Sequence, residues 1–248
     1  MRQLLYVMLI LLTAINTRAQ SDTFTTAKGL LVVNPVYHGS LWMKWNTLTI
    51  AVDPYGGAER YAAMGKPDIV LITDIHGDHM DSSTLVNLDL SKATLVVPQA
   101  VQEKLVKILP AGTKMEWLAN GGTKTLQGIH ISALPMYNLP DTPGIRHPKG
   151  RGNGYILEMG GKKVYISGDT EDIPEMRTLK GIDIAFVCMN QPYTMDIKQA
   201  ASAVLEFKPA IVYPFHYRGQ GGFSDVEEFA RLVKAGSQPI DVRLRKWY

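Results

Sequence analysis

Residues 68–81 read DIVLITDIHGDHMD. The apolar run Ile69–Ile72 has the character of a buried strand, and it stops abruptly at Asp74, His76, Asp78, His79 and Asp81. Imidazoles and carboxylates at the end of an interior strand are costly to desolvate unless something pairs with them. A solvated surface loop would need no histidine at all. The pattern recurs downstream, where VYISGDT places Asp169 after a second apolar run and IVYPFHY places His216 after a third. A chain with this pattern must bring several interior strands to one edge, where their polar ends can meet.

The rest of the sequence supplies strands for that edge. Apolar, β-branched runs predict strands at Gly29–Val36, Leu41–Trp45, Leu48–Val52, Ile69–Thr73, Thr94–Val97, Ile129–Leu134, Tyr155–Met159, Lys163–Ile166, Ile184–Cys188 and Ala210–Tyr213. A helix is predicted over Pro98–Leu109, with proline at its start and an apolar stripe of Val101, Leu105, Ile108 and Leu109. Two more are predicted, one over Asp196–Phe207 and one opened by a Ser224/Glu227 capping box and closed at Gly236. Strands lead and helices follow in each half, which indicates one α/β domain with two sheets between helical layers. Neither a G-x-G-x-x-G nor a G-x-x-x-x-G-K-[ST] sequence occurs, so a dinucleotide or nucleoside-triphosphate site has no support.

Export is expected from the first residues. Arg2, the apolar stretch Leu4–Leu12, and Thr17 and Ala19 have the form of a signal peptide over residues 1–19. The stretch is shorter than the roughly 20 residues of a spanning helix, leaving a mature domain over residues 20–248, periplasmic or secreted, without an integral membrane span; a membrane anchor is the alternative. Loss of Arg2 and Arg18 lowers the formal charge of +3 by two units, and so balanced a chain offers no electrostatic case for nucleic acid. Cys188 is the only cysteine. It excludes an internal disulfide or a cysteine-rich zinc knuckle, and its apolar surroundings mark a buried structural thiol.

The spacing Asp74-x-His76-x-Asp78-His79 suits a metal site, because a loop leaving a strand can aim several side chains at one point, and imidazole with carboxylate suits zinc, iron or manganese. With Asp169 and His216 at later strand ends, the chain resembles the metallo-β-lactamase superfamily, with its loop motif H-x-H-x-D-H and further ligands at strand ends. HGSLWMKWNTLTIAVDP is similar to the opening strands of the branch that contains lactonases and an N-acyl-phosphatidylethanolamine phospholipase D. The resemblance covers nearly the whole mature chain. It implies a single-domain, four-layer αβ/βα sandwich and two divalent metal ions, zinc first, with manganese or iron as alternatives. It further implies His76 on the first metal, Asp78 and His79 on the second, Asp169 bridging both, and His216 completing the second.

The chain departs from the motif twice. Asp74 replaces the first histidine; a carboxylate can ligate the same metals, but it lowers the net charge of the cluster, which weakens the acidification of bound water and favours harder metals. Asp74 could instead form only a salt bridge. Asn138 stands where the family often has its middle ligand, and His147, nine residues on, is the expected replacement, with Asn138 the alternative. His130 is expected to pack within its strand, and Asp53 to be a turn residue or to support the ligands from behind.

The expected activity is hydrolysis of an ester, lactone or phosphodiester in a small-molecule substrate by metal-activated water, with Asp78 orienting the water and receiving a proton. His38, Asn138, Tyr193 and Tyr217 could contact that substrate. No G-x-S-x-G elbow occurs, so a serine hydrolase is poorly supported. The competing expectation is a metal-binding or scaffold protein of the same fold that has lost catalysis, with Asp74 as the mark of decay.

Overall fold

A computed structural model describes residues 21–236 and 238–248. The expected signal segment, residues 1–19, lies outside the described residues. Two seven-stranded sheets face each other. The first runs in chain order: β1 (Asp22–Thr26), β2 (Gly29–Tyr37), β3 (Ser40–Trp45), β4 (Leu48–Val52), β5 (Ile69–Leu71), β6 (Thr94–Val97) and β7 (Lys114–Trp117). The second contains β8 (Thr123–Leu126), β9 (Ile129–Met136), β10 (Gly152–Met159), β11 (Lys162–Ile166), β12 (Ile184–Cys188), β13 (Ile211–Phe215) and β16 (Asp241–Val242), and a short hairpin pairs β14 (Arg218–Gly219) with β15 (Gly222–Phe223). Each large sheet begins as an antiparallel meander and turns parallel, from β4 onward in the first and from β11 onward in the second. Parallel neighbours need crossovers, which carry α1 (Ser82–Asn87), α2 (Gln99–Leu105), α3 (Pro174–Arg177) and α4 (Ile197–Phe207); α5 (Val226–Ala235) leads to β16.

The layering follows from the two-residue period of a strand. Ile69 and Leu71 of β5 face the second sheet, whereas Val70 and Ile72 face α1 and α2 together with Leu85, Val101 and Leu105. Ile50 and Val52 against Ala51, and Val96 against Leu95 and Val97, divide in the same way. Strands buried on both faces explain why these runs are continuously apolar. Tyr155 crosses the interface, its hydroxyl donating to the carbonyls of Ile72 and Val96 at 2.9 and 3.2 Å. The fold is therefore the expected single-domain αβ/βα sandwich. Cys188 is fully buried, and burial pushes its thiol up to about 11.

Some local expectations are corrected. The α2 helix proper ends at Leu105, short of the predicted Leu109, although its stripe residues Val101 and Leu105 are buried as expected. Ser224 does not cap α5: Asp225 does, accepting from Glu228 N at 2.9 Å, while the Ser224 hydroxyl donates to the Met189 carbonyl. The carboxylate one residue later is the stronger acceptor for the free amide of the helix's third residue. No helix among the described residues is long and apolar enough to cross a membrane.

Candidate metal centre

All the motif residues lie at one edge of the sandwich, in the loops that leave β2, β4, β5, β9, β11 and β13. The loop after β5 carries Asp74, His76, Asp78 and His79, and Asp81 closes it by capping α1 through Ser83 N and Thr84 N. Asp81 is thus accounted for without a metal.

Two groups of donors share Asp169. His79 Nε2 lies 3.3 Å from Asp169 Oδ2, His216 Nε2 lies 3.4 Å from Asp169 Oδ1, and the two imidazole Nε2 atoms are 3.2 Å apart. On the other side His147 Nε2 is 3.3 Å from Asp169 Oδ2, and its ring lies 5.0 Å from that of His76. His76 Nδ1 is 2.7 Å from Asp74 Oδ2, without the angle of a hydrogen bond. The sets Asp74/His76/His147 and His79/Asp169/His216 each bring one donor atom per residue within 4.8 Å of the others.

The residues fit divalent metal ions on their own chemistry. Among the described residues, His147 Nε2 and Asp169 Oδ1 are buried with no hydrogen-bond partner, a state that costs free energy unless a cation or water satisfies them. The tautomers agree. Asp53 Oδ2 holds His79 Nδ1 at 2.8 Å, and Thr73 fixes Asp53 through its amide (2.8 Å) and hydroxyl (2.6 Å). Asn138 Oδ1 holds His147 Nδ1 at 2.9 Å and accepts from His147 N at 3.0 Å. With Nδ1 donating, each Nε2 turns its lone pair toward the cluster, as metal-binding histidines do. Between the two residues left open by the sequence, His147 points inward and Asn138 orients it.

The electrostatics point the same way. Burial pulls the imidazolium of His79 down, but Asp169, Asp78 and Asp53 outweigh it and raise its pKa well above the usual histidine value. Asp78 and Asp169 are held far below the carboxylate range despite burial, by His79 and His216. A field that favours a protonated imidazole also favours a divalent cation in its place.

Backbone strain accompanies the arrangement. His38, Asp53 and His216 have φ of 57°, 42° and 47°, a left-handed conformation that costs a side-chain-bearing residue about 1–2 kcal/mol. Gly39 lets two of them approach: a Cβ there would lie 2.9 Å from His216 Cδ2.

His38 is closer to the cluster than its sequence position suggests. Its Nε2 is 3.1 Å from Asp78 Oδ2, its ring is 3.9 Å from that of His216, and its Nδ1 is 2.7 Å from the Tyr248 hydroxyl. Tyr217 packs against Tyr248 at 5.1 Å, and Tyr193 lies beside Asn138, its carbonyl accepting from Asn138 Nδ2 at 2.8 Å and its ring 4.2 Å below Arg146. His130 stays in β9, 3.3 Å from Thr125.

Arg151 is a site residue not expected from the sequence. Its guanidinium grips Asp74 with two parallel bonds, Nε to Oδ1 at 3.0 Å and Nη2 to Oδ2 at 2.8 Å. This is the salt bridge expected as the alternative role of Asp74, and it places a guanidinium charge against the carboxylate. A buried carboxylate where a histidine is usual was itself the signal to look for a cation nearby.

Comparisons with known proteins agree with this geometry. Residues 34–216 match the beta-lactamase superfamily domain. A metal-dependent hydrolase of Thermococcus onnurineus is 32% identical over 197 residues, 74% of this chain and 84% of its own length. A solved structure from Parabacteroides distasonis, provisionally named a metal-dependent hydrolase, is 41% identical with a TM-score of 0.81, covering 93% of this chain and all of its own. A metallo hydrolase of Ignicoccus hospitalis has a TM-score of 0.72 at 25% identity, over 86% of this chain and 94% of its own.

Proposed function

Because this chain belongs to the metallo-β-lactamase superfamily and is a metal-dependent hydrolase, we propose that it is exported and uses two divalent ions to cleave an ester, lactone or phosphodiester bond. The observation that carries the two-metal reading is Asp169, whose Oδ2 lies 3.3 Å from both His79 Nε2 and His147 Nε2 while its Oδ1 faces His216. Such a carboxylate can serve both donor groups at once. Asp74, His76 and His147 would hold the first ion, and Asp78, His79 and His216 the second.

Ions there would supply Lewis acidity and acidify a bound water toward neutral pH. The protein's own residues do the rest. Asp78 is the cluster carboxylate with substantial exposure, 29% for its side chain, so it can accept a hydrogen bond from a water on the solvent side and orient it. Asp53 and Asn138 fix the imidazoles so that no reorganisation accompanies the reaction. His38 contacts Asp78 and the Tyr248 hydroxyl, and Tyr248 packs on Tyr217; these side chains are suited to contact substrate.

The reading of Asp74 as a sign of decay is disfavoured by the otherwise complete donor set and by the Arg151 pairing, which removes its electrostatic penalty. The test is metal analysis of protein purified without added metal, followed by turnover of p-nitrophenyl esters, a γ-lactone and bis-p-nitrophenyl phosphate. We expect metal-dependent hydrolysis in one of these classes, abolished by chelation and restored by zinc or manganese. Metal-loaded protein inert toward all three would overturn the substrate assignment.

A further inference from the structure

We propose that Arg151 is a charge-compensating positioning residue: by pairing with Asp74 it makes that carboxylate act as a neutral ligand, in the manner of an imidazole, and so sets the affinity of the first metal position. The inference rests on the two-metal reading. Asp74 is fully buried, both its oxygens are held by the guanidinium fork, and Oδ2 also faces His76 Nδ1. A carboxylate so placed and unpaired would strongly destabilise the metal-free protein. A free anion would bind a metal more tightly than the histidine it replaces and would reduce its Lewis acidity. The bidentate guanidinium corrects both, because the pair carries no net charge yet leaves Asp74 Oδ2 2.7 Å from His76 Nδ1, within the donor group it forms with His76 and His147.

The backbone builds this contact in. Asn153 N donates to Thr73 O at 2.9 Å, joining the start of β10 to the loop that carries Asp74. Gly152 presses so closely there that a Cβ would lie 2.8 Å from Thr73 O. Arg151 and Asp74 are therefore fixed as neighbours by main-chain packing, with the Arg151 side chain only 19% exposed. An arginine meant chiefly to greet substrate would keep its fork free, and this one has committed it to Asp74.

The test is calorimetric titration of metal-stripped wild type, Arg151→Met, Arg151→Lys, Asp74→His and Asp74→His/Arg151→Met with zinc and with manganese, with bound metal counted and folding checked by circular dichroism. Wild type should take two equivalents. Arg151→Met should bind the weaker ion at least about tenfold more tightly, since removing one adjacent positive charge is worth a pKa-scale unit or more, and its metal-free form should melt lower. Arg151→Lys, which keeps charge without the fork, should fall between. Asp74→His alone should lose the first ion beside an unpaired guanidinium, and the double variant should regain it. Unchanged or weaker binding in folded Arg151→Met, or full two-metal binding by Asp74→His alone, would overturn the proposal. One equivalent in wild type would instead defeat the two-metal reading, and the Arg151 proposal would then be decided by whether Arg151→Met acquires a second.

Discussion

At the scale of single residues, the chemistry rests on donors that aim other donors. Asp53 holds His79 by Nδ1 and is itself held by Thr73. Burial raises the Asp53 carboxyl, and its contacts with His79 and Thr73 oppose that rise. Asp53→Asn removes the acceptor charge and permits the wrong tautomer, so metal affinity should fall about 10–100-fold with little change in fold, as measured by metal titration and circular dichroism. Gly39→Ala should act by sterics alone, driving a methyl group into the His216 ring and weakening the second ion while sparing the first. The convergence of imidazoles and carboxylates was legible in the loop after β5 and in the two later strand ends, because each apolar run tells where a buried strand stops. Arg151, and the closeness of His38 to Asp78, were not legible, since both depend on which loops the two sheets bring together across dozens of residues.

At the scale of elements, continuous apolar runs such as Ile184–Cys188 were easily read as strands, whereas β1, β7, β8 and the two-residue strands β14, β15 and β16 were missed. The residues of β1, β7 and β8 are exposed or half-buried almost throughout, and edge strands need little apolar signal. The β1 strand is held by charge. Asp22 accepts from Arg245 Nε and Nη2 (2.9 and 2.8 Å), Arg243 Nη1 (2.9 Å) and the Tyr213 hydroxyl (2.7 Å). Burial raises the Asp22 carboxyl, but the Arg245 and Tyr213 contacts outweigh it and leave its pKa lowered. A lowered folded-state value means that the stabilisation is complete above the ordinary value near 3.8 and is lost as pH falls through the lower, folded one. Asp22→Asn should therefore cost about 1–2 kcal/mol in urea melts at pH 7, less in high salt, with the difference from wild type closing below the ordinary carboxylate range. Equal differences at both pH values would reject this role. For α5, Asp225→Ala should cost about 1 kcal/mol.

At the scale of the whole molecule, the two sheets repeat one plan, an antiparallel meander that turns parallel, so the loops leaving the strands of both meet at one edge. The sandwich was legible because both halves of the sequence repeat strands before helices; the substrate was not, since it depends on the shape of a rim assembled from loops. Export is a prediction at this scale as well: N-terminal sequencing of protein recovered from outside the cytoplasm should begin near Gln20, and recovery of Met1 on cytoplasmic protein would reject it. The central claim is that Asp169 serves two ions at this edge. Anomalous X-ray diffraction from crystals of zinc-loaded protein tests it most directly. Two peaks should appear, one within ligand distance of Asp74, His76 and His147 and the other of Asp78, His79 and His216, with Asp169 reaching both; a single peak, or peaks away from these residues, would contradict the account.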